Sequence, residues 1–122
     1  MHEVARKTDD TELVSKAALN AADWLGLNSD QLANALGVSS STVARARQGR
    51  PISGQKTLEI ALYLVRIYRA LYAILGGNKA QMEAWMDAPN DHLHGEIPSE
   101  LVQRIDGLVA VLRYLDAMRG RV

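Results

Sequence analysis

Residues 55–75 carry apolar side chains almost all the way round a helix, from Leu58, Ile60, Leu62, Leu64 and Val65 through Ile67, Tyr68, Leu71, Tyr72, Ile74 and Leu75. Only a narrow strip at Glu59, Tyr63, Arg66 and Ala70 is polar or small. A surface helix is apolar along one stripe, so a helix this apolar has to be covered on more than one side. The segment therefore predicts a central beam, shared by the chain before it, the chain after it and, where these leave apolar surface, another chain. Tyr68, Leu71 and Tyr72 are the residues expected to remain for that further contact.

The rest of the sequence supplies helices to cover the beam. A helix is expected from Thr11 to Leu25 behind a loose start over residues 1–9, with Leu13, Ala17, Ala21, Trp24 and Leu25 inward and Gly26 as its stop. Asn28 and Gln31 have capping-box spacing, and Leu27 and Leu32 stand as a hydrophobic staple. That helix ends at Leu36-Gly37, and another runs from Ser39 to Gln48. Asn78 can cap a short helix bearing Met82, Trp85 and Met86. A loop over residues 87–97 follows, and Pro98 suits the first turn of the last helix. There Leu101, Ile105, Leu108, Leu112 and Leu115 recur on one face, Gly107 is placed to bend the helix, and Gly120 ends it. No run alternates as a strand would. The expected fold is all-α: a helix-turn-helix bundle over residues 1–54, a shared central helix over 55–75 and a small helical domain over 76–122.

Composition narrows the function. With 122 residues and no Cys, the chain suits one core without disulfides, thiolate metal sites or a Cys nucleophile. No apolar run is long enough to span a membrane, and the polar first residues do not read as a signal peptide, so a cytoplasmic location is expected. The formal net charge is +0, yet residues 45–69 carry +5 and residues 80–116 carry −5. Such segregation points to separate tasks for the two halves, although a charge run is also what an ordinary solvated face looks like.

The basic segment coincides with a helix-turn-helix pattern across residues 31–45. Ala33 is small where a second helix crosses, Gly37 can take the left-handed turn, and Leu32, Leu36, Val38 and Val43 fill the wedge. The second helix of such a motif enters the major groove by its N-terminal end. Ser39, Ser40, Ser41, Ala44, Arg45 and Gln48 then face DNA. Arg45 can bridge guanine O6 and N7, and Gln48 can read adenine. The serines can hold phosphates or bases, and Arg47, Arg50 and Lys56 flank the helix where phosphates pass. The motif could equally be kept as a scaffold alone.

The acidic half contains Trp85-Met86-Asp87-Ala88-Pro89-Asn90-Asp91-His92-Leu93-His94-Gly95-Glu96-Ile97-Pro98. Trp followed by Pro-Asn and then Leu-x-Gly-x-x-Pro, behind an Xre-like helix-turn-helix, resembles the toxin-binding domain of the Xre/MbcA/ParS antitoxin family. The resemblance covers about residues 10–122. Met86 departs from the Leu expected there but conserves volume. Helix-turn-helix proteins usually bind two half-sites as two-fold dimers, so a homodimer or a toxin–antitoxin hetero-oligomer is expected; the resemblance implies an antitoxin that blocks a RES-domain toxin consuming NAD and represses its own operon. It places toxin contacts at Trp85, Asn90 and Leu93, and at a tail of Arg119, Gly120, Arg121 and Val122 that reaches the toxin's cleft. Trp85 and Leu93 read equally as internal packing, with Pro89, Gly95 and Pro98 fixing the loop. His92, His94, Asp91 and Glu96 make only a weak metal or acid–base pattern, and no nucleophile or phosphate-loop motif is present. No catalysis, cofactor or metal is therefore expected. The competing readings are a stand-alone Xre-like repressor whose second half dimerises or senses a ligand, and an enzyme using the 91–96 loop.

Overall fold

A computed structural model describes the backbone of residues 2–120 and the side chains of residues 10–120. Helix α1 (His2–Leu25) is followed by the helix-turn-helix pair α2 (Ser29–Leu36) and α3 (Ser40–Arg47). The long α4 (Gln55–Ile74) then leads to α5 (Lys79–Asp87), a 3-10 turn (Asp91–Leu93), α6 (Pro98–Leu101) and α7 (Ile105–Met118). The described residues contain no strand, and no helix among them is long and apolar enough to cross a membrane.

Local chemistry sets most of these boundaries. Asn28 and Gln31 close the capping box in both directions, Gln31 N donating to Asn28 Oδ1 at 2.8 Å and Asn28 N to Gln31 Oε1 at 2.9 Å. Ser39 caps α3 and Asn78 caps α5 through their side-chain oxygens. Gly37 takes a left-handed conformation (φ 70°), and the next amide, Val38 N, reaches back to Ala33 O at 3.0 Å. Leu27 and Leu32 are buried at the staple positions, and Val43 is buried in the wedge between α2 and α3.

The central-beam expectation holds, because α4 is packed by α1, α2, α5 and α7. One buried cluster runs through Leu25, Leu36, Val43, Leu64, Ile67, Met82, Leu108 and Leu115, from the helix-turn-helix to the last helix. Three hydrogen bonds missed by periodicity hold distant segments together. Buried Ser15 in α1 accepts from Ile52 N at 2.8 Å and donates to Ile52 O at 3.3 Å, docking the α3–α4 connector. Asn34 Nδ2 of α2 donates to Gln103 Oε1 at 2.9 Å, joining the two halves at the α6–α7 link.

Four expectations require correction. Helix α1 begins well before Thr11, and Ser15, Ala18 and Ala22 join the expected Ala21 and Leu25 on its buried face, leaving Leu13 65% exposed. The last helical stretch is two helices, separated by a turn over residues 102–104, which turns Ile105 outward (56% exposed). The role of Gly107, expected as a bend, is a close crossing: it lets α6 pass over α7, since a Cβ there would overlap the Leu101 carbonyl oxygen and lie 2.7 Å from the carbonyl carbon. Along α4, Leu71 and Ala70 are fully buried, and Tyr68 is packed with Trp24 at 6.0 Å between ring centroids. Tyr72 stays 42% exposed as expected, while its ring packs edge-on to Trp24 at 5.4 Å; the rest of the open stripe is Glu59, Leu62, Tyr63, Arg66 and Arg69.

Candidate nucleic-acid and partner interfaces

The amphipathic fold of α3 determines what it can show to DNA. Val43 and Ala46 are buried against α2 and the core, so Ser41, Ala44, Arg45 and Gln48 stand exposed. Two of the three serines already hold local bonds. Ser39 Oγ accepts from Thr42 N at 3.1 Å and lies 2.9 Å from Thr42 Oγ1. Ser40 Oγ donates to Asp30 Oδ1 of α2 at 2.9 Å, which sets a carboxylate beside the start of α3. Asp30 lies ten residues upstream, and no helical spacing ties it to Ser40 in the sequence.

Arg45 and Arg50 come together because the chain turns back after α3, with Arg50 N donating to Arg45 O at 3.0 Å. With Val38, Thr42, Pro51 and Ser53 they line an open recess of about 360 Å³. Two guanidiniums with two hydroxyls suit a phosphate group or a base edge at that position. Thr42 and Ser53 were not singled out by sequence reasoning; their contribution depends on the turn that folds the connector against α3. Lys56 is exposed on the first turn of α4. Arg47 points elsewhere, pairing with Asp23 at 3.5 Å and donating from Nε to Ser29 Oγ at 3.2 Å.

The second surface is built around Asn90. Its N–H donates to Glu96 O at 3.0 Å, its carbonyl accepts from Leu93 N at 2.9 Å and Gly95 N at 2.8 Å, and its side chain accepts from His92 N at 2.9 Å. The loop reverses through His94 (φ 61°) and Gly95 (φ 76°), closed by Glu96 N donating to Leu93 O at 3.1 Å. Two consecutive left-handed residues are the requirement of a tight primed turn, and His94 is the only non-glycine with positive φ among the described residues. Leu93 plugs the loop into the core.

Around that loop three rings stack. Trp85 and Tyr114 lie 6.4 Å apart at 7°, and His92 lies 5.4 Å from Tyr114 at 17°. His92, His94, Glu96, Arg113 and Tyr114 border a recess of about 320 Å³ floored by Leu93 and Leu101. Among the described residues no three His, Asp or Glu side chains gather into a metal-sized group. Of the three expected contact residues, Trp85 and Asn90 are half-buried at this surface, with Asn90 organising the loop, whereas Leu93 is buried beneath it as core packing. Tyr114 and Arg113 escaped sequence reasoning because only the apolar face of the last helix was followed. They occupy its other side.

The tail begins at a separate place. Arg119 joins Arg66, Arg69 and Asp116 around a recess of about 260 Å³, where Arg66 Nη2 reaches Asp116 Oδ2 at 3.2 Å. Gly120 has φ 76°, the left-handed exit expected of it. Arg121 and Val122 lie outside the described residues.

Two family models match the chain one after the other. Residues 6–66 match the antitoxin Xre-like helix-turn-helix domain, and residues 70–121 match the antitoxin Xre/MbcA/ParS C-terminal toxin-binding domain. Among solved structures, a chain in the crystal structure of the M. tuberculosis MbcT–MbcA toxin–antitoxin complex is similar at 26% identity and a TM-score of 0.66, over 88% of this chain and 95% of that one. No curated protein matches the sequence. With one family domain following the other along nearly the whole chain and the fold of a toxin–antitoxin complex component, the protein belongs to the Xre/MbcA/ParS antitoxin family.

Proposed function

We propose that the chain neutralises a RES-domain toxin that consumes NAD, by degrading it or by ADP-ribosylating a target, and represses its own operon as a two-fold dimer. The observation that carries the reading is the toxin-binding domain match over residues 70–121, placed directly behind a helix-turn-helix. In this reading the chain catalyses nothing. The surface organised by Asn90, with Trp85 and Leu93 beneath it, docks the toxin, and residues 119–122 enter the toxin's cleft. Arg119 and Arg121 supply charge-assisted bonds to acidic groups there. On the other half, Arg45 and Gln48 read bases, while Arg50, Lys56 and the serines at residues 39–41 hold phosphates. Two-fold symmetry in the protein would match two operator half-sites.

Co-expression of the chain with a RES-domain toxin encoded beside it tests the reading. A stable complex is expected, together with loss of the toxin's NAD consumption at stoichiometric chain. Undiminished NAD consumption, with the two proteins eluting separately, would overturn it.

A further inference from the structure

The middle of α4 carries an uncovered stripe with a particular order of side chains. Leu62 is 46% exposed and Tyr63 39% exposed, and Glu59 and Arg66 flank them. Residues 59, 62, 63 and 66 stand at i, i+3, i+4 and i+7, so they share one face. The face reads acid, apolar, apolar, base. Glu59 makes no ion pair with another described residue. Arg66 uses Nη2 on Asp116 and lies over the Tyr63 ring with its Cζ 5.8 Å from the centroid. A guanidinium has five N–H donors, so bonds remain for a second carboxylate.

We propose that this stripe is where a second copy of the chain docks, with the two α4 helices antiparallel and the two-fold axis between Leu62 and Tyr63. The order of charges selects the direction. Antiparallel helices place Glu59 of each copy opposite Arg66 of the other, twice, around a centre of two Leu62 and two Tyr63 side chains. Parallel helices would place Glu59 on Glu59 and Arg66 on Arg66. One turn further out, the antiparallel arrangement opposes Lys56 to Arg69, so the helices cross rather than run alongside. A crossing near 50°, common for helices packed ridge into groove, separates those ends. The two starts of α4 then lie about 22 Å apart along the helix axis. Each helix-turn-helix sits beyond its own end, towards the roughly 34 Å spacing of successive major-groove half-sites.

This interface rests on the reading of the chain as a two-fold operator binder and names the surface that makes it so. A stripe of this size is at the small end for a specific interface, so the association is weak enough to titrate.

The chain has no Cys, so single introduced thiols report proximity cleanly. Full-length Glu59→Cys and Arg66→Cys proteins are oxidised separately and mixed. The mixture is expected to give a disulfide-linked dimer, in which one Glu59–Arg66 pair is retained, while each protein alone stays unlinked. Sedimentation equilibrium at up to about 100 µM is expected to show wild-type dimer and at least a tenfold weaker dimer for Leu62→Glu, with unchanged helical circular dichroism. Self-linking of Glu59→Cys, an undiminished dimer in Leu62→Glu, or a wild-type monomer throughout would overturn the interface. Toxin neutralisation by Leu62→Glu separates this from the antitoxin reading: retained neutralisation beside an undiminished dimer condemns only the interface, whereas wild-type chain that neither binds toxin nor retards promoter DNA condemns the reading itself.

Discussion

Gly107 leaves no room for a methyl group. The end of α6 crosses α7 so closely that a Cβ at this position would overlap the Leu101 carbonyl oxygen, which is backbone and cannot swing aside. Gly107→Ala improves intrinsic helix propensity by about 1 kcal/mol, yet forcing the helices apart costs more, commonly 1–3 kcal/mol and sometimes beyond. Because the overlap is with backbone, the cost belongs at the upper end of that range, and a net loss of about 2 kcal/mol is expected, read as a lower urea midpoint at unchanged slope. An unchanged midpoint would mean that the crossing is looser than described. Ser15 makes the opposite kind of contact, a buried hydroxyl serving both polar groups of Ile52. Ser15→Ala strands the Ile52 amide and should cost about 1–3 kcal/mol in the same assay. Neither role was legible beforehand. Glycine inside a helix reads as a bend, and a serine reads as surface, because the partner that gives each its meaning lies in another segment.

Local elements were legible for the complementary reason. The boundaries of α2, α3 and α5 follow from Asn28, Gln31, Gly37, Ser39 and Asn78, whose partners lie within five residues. The break between α6 and α7 has no such mark. Residues 102–104 contain neither Pro nor Gly, and the spacing of Leu101, Leu108, Leu112 and Leu115 continues through them. That turn is imposed by packing, as Leu101 and Val102 bury themselves over the start of α7. At this scale α3 and the connector behind it make a further prediction. Arg45 is exposed on α3, whereas Arg50 and Lys56 lie off it. Arg45→Ala should therefore weaken promoter binding by about 1–3 kcal/mol and relax preference at one base pair. Arg50→Ala and Lys56→Ala should weaken all sequences alike, each reducing the salt slope by about one counterion. Gel retardation over a panel of promoter variants and salt concentrations separates the two patterns, and unchanged promoter affinity in Arg45→Ala would remove its base-reading role.

Across the whole molecule, the two halves share one core around α4, and the Asn34–Gln103 bond ties them at the surface. The tail is the part this arrangement leaves least committed. Leu108, Leu112 and Leu115 anchor α7 from within, while Met118, Arg119 and Gly120 stand exposed beyond them. Removing residues 119–122 takes away no buried side chain among those described, so the change in stability should stay within about 0.5 kcal/mol, as for other surface changes. Operator retardation should likewise be kept, since α3 and its connector are untouched. Neutralisation should not be kept if these residues enter the toxin's cleft: the shortened chain would still bind toxin through the loop organised by Asn90 but leave its reaction running. The measurement is NAD consumption by purified toxin at rising ratios of shortened chain, alongside a direct binding assay. Binding retained with inhibition lost is the expected result. Full inhibition by the shortened chain would move the blocking role to the loop itself, where His92 lies stacked on Tyr114 beside Arg113 and Glu96. Tyr114→Ala would then be the substitution that separates docking from blocking.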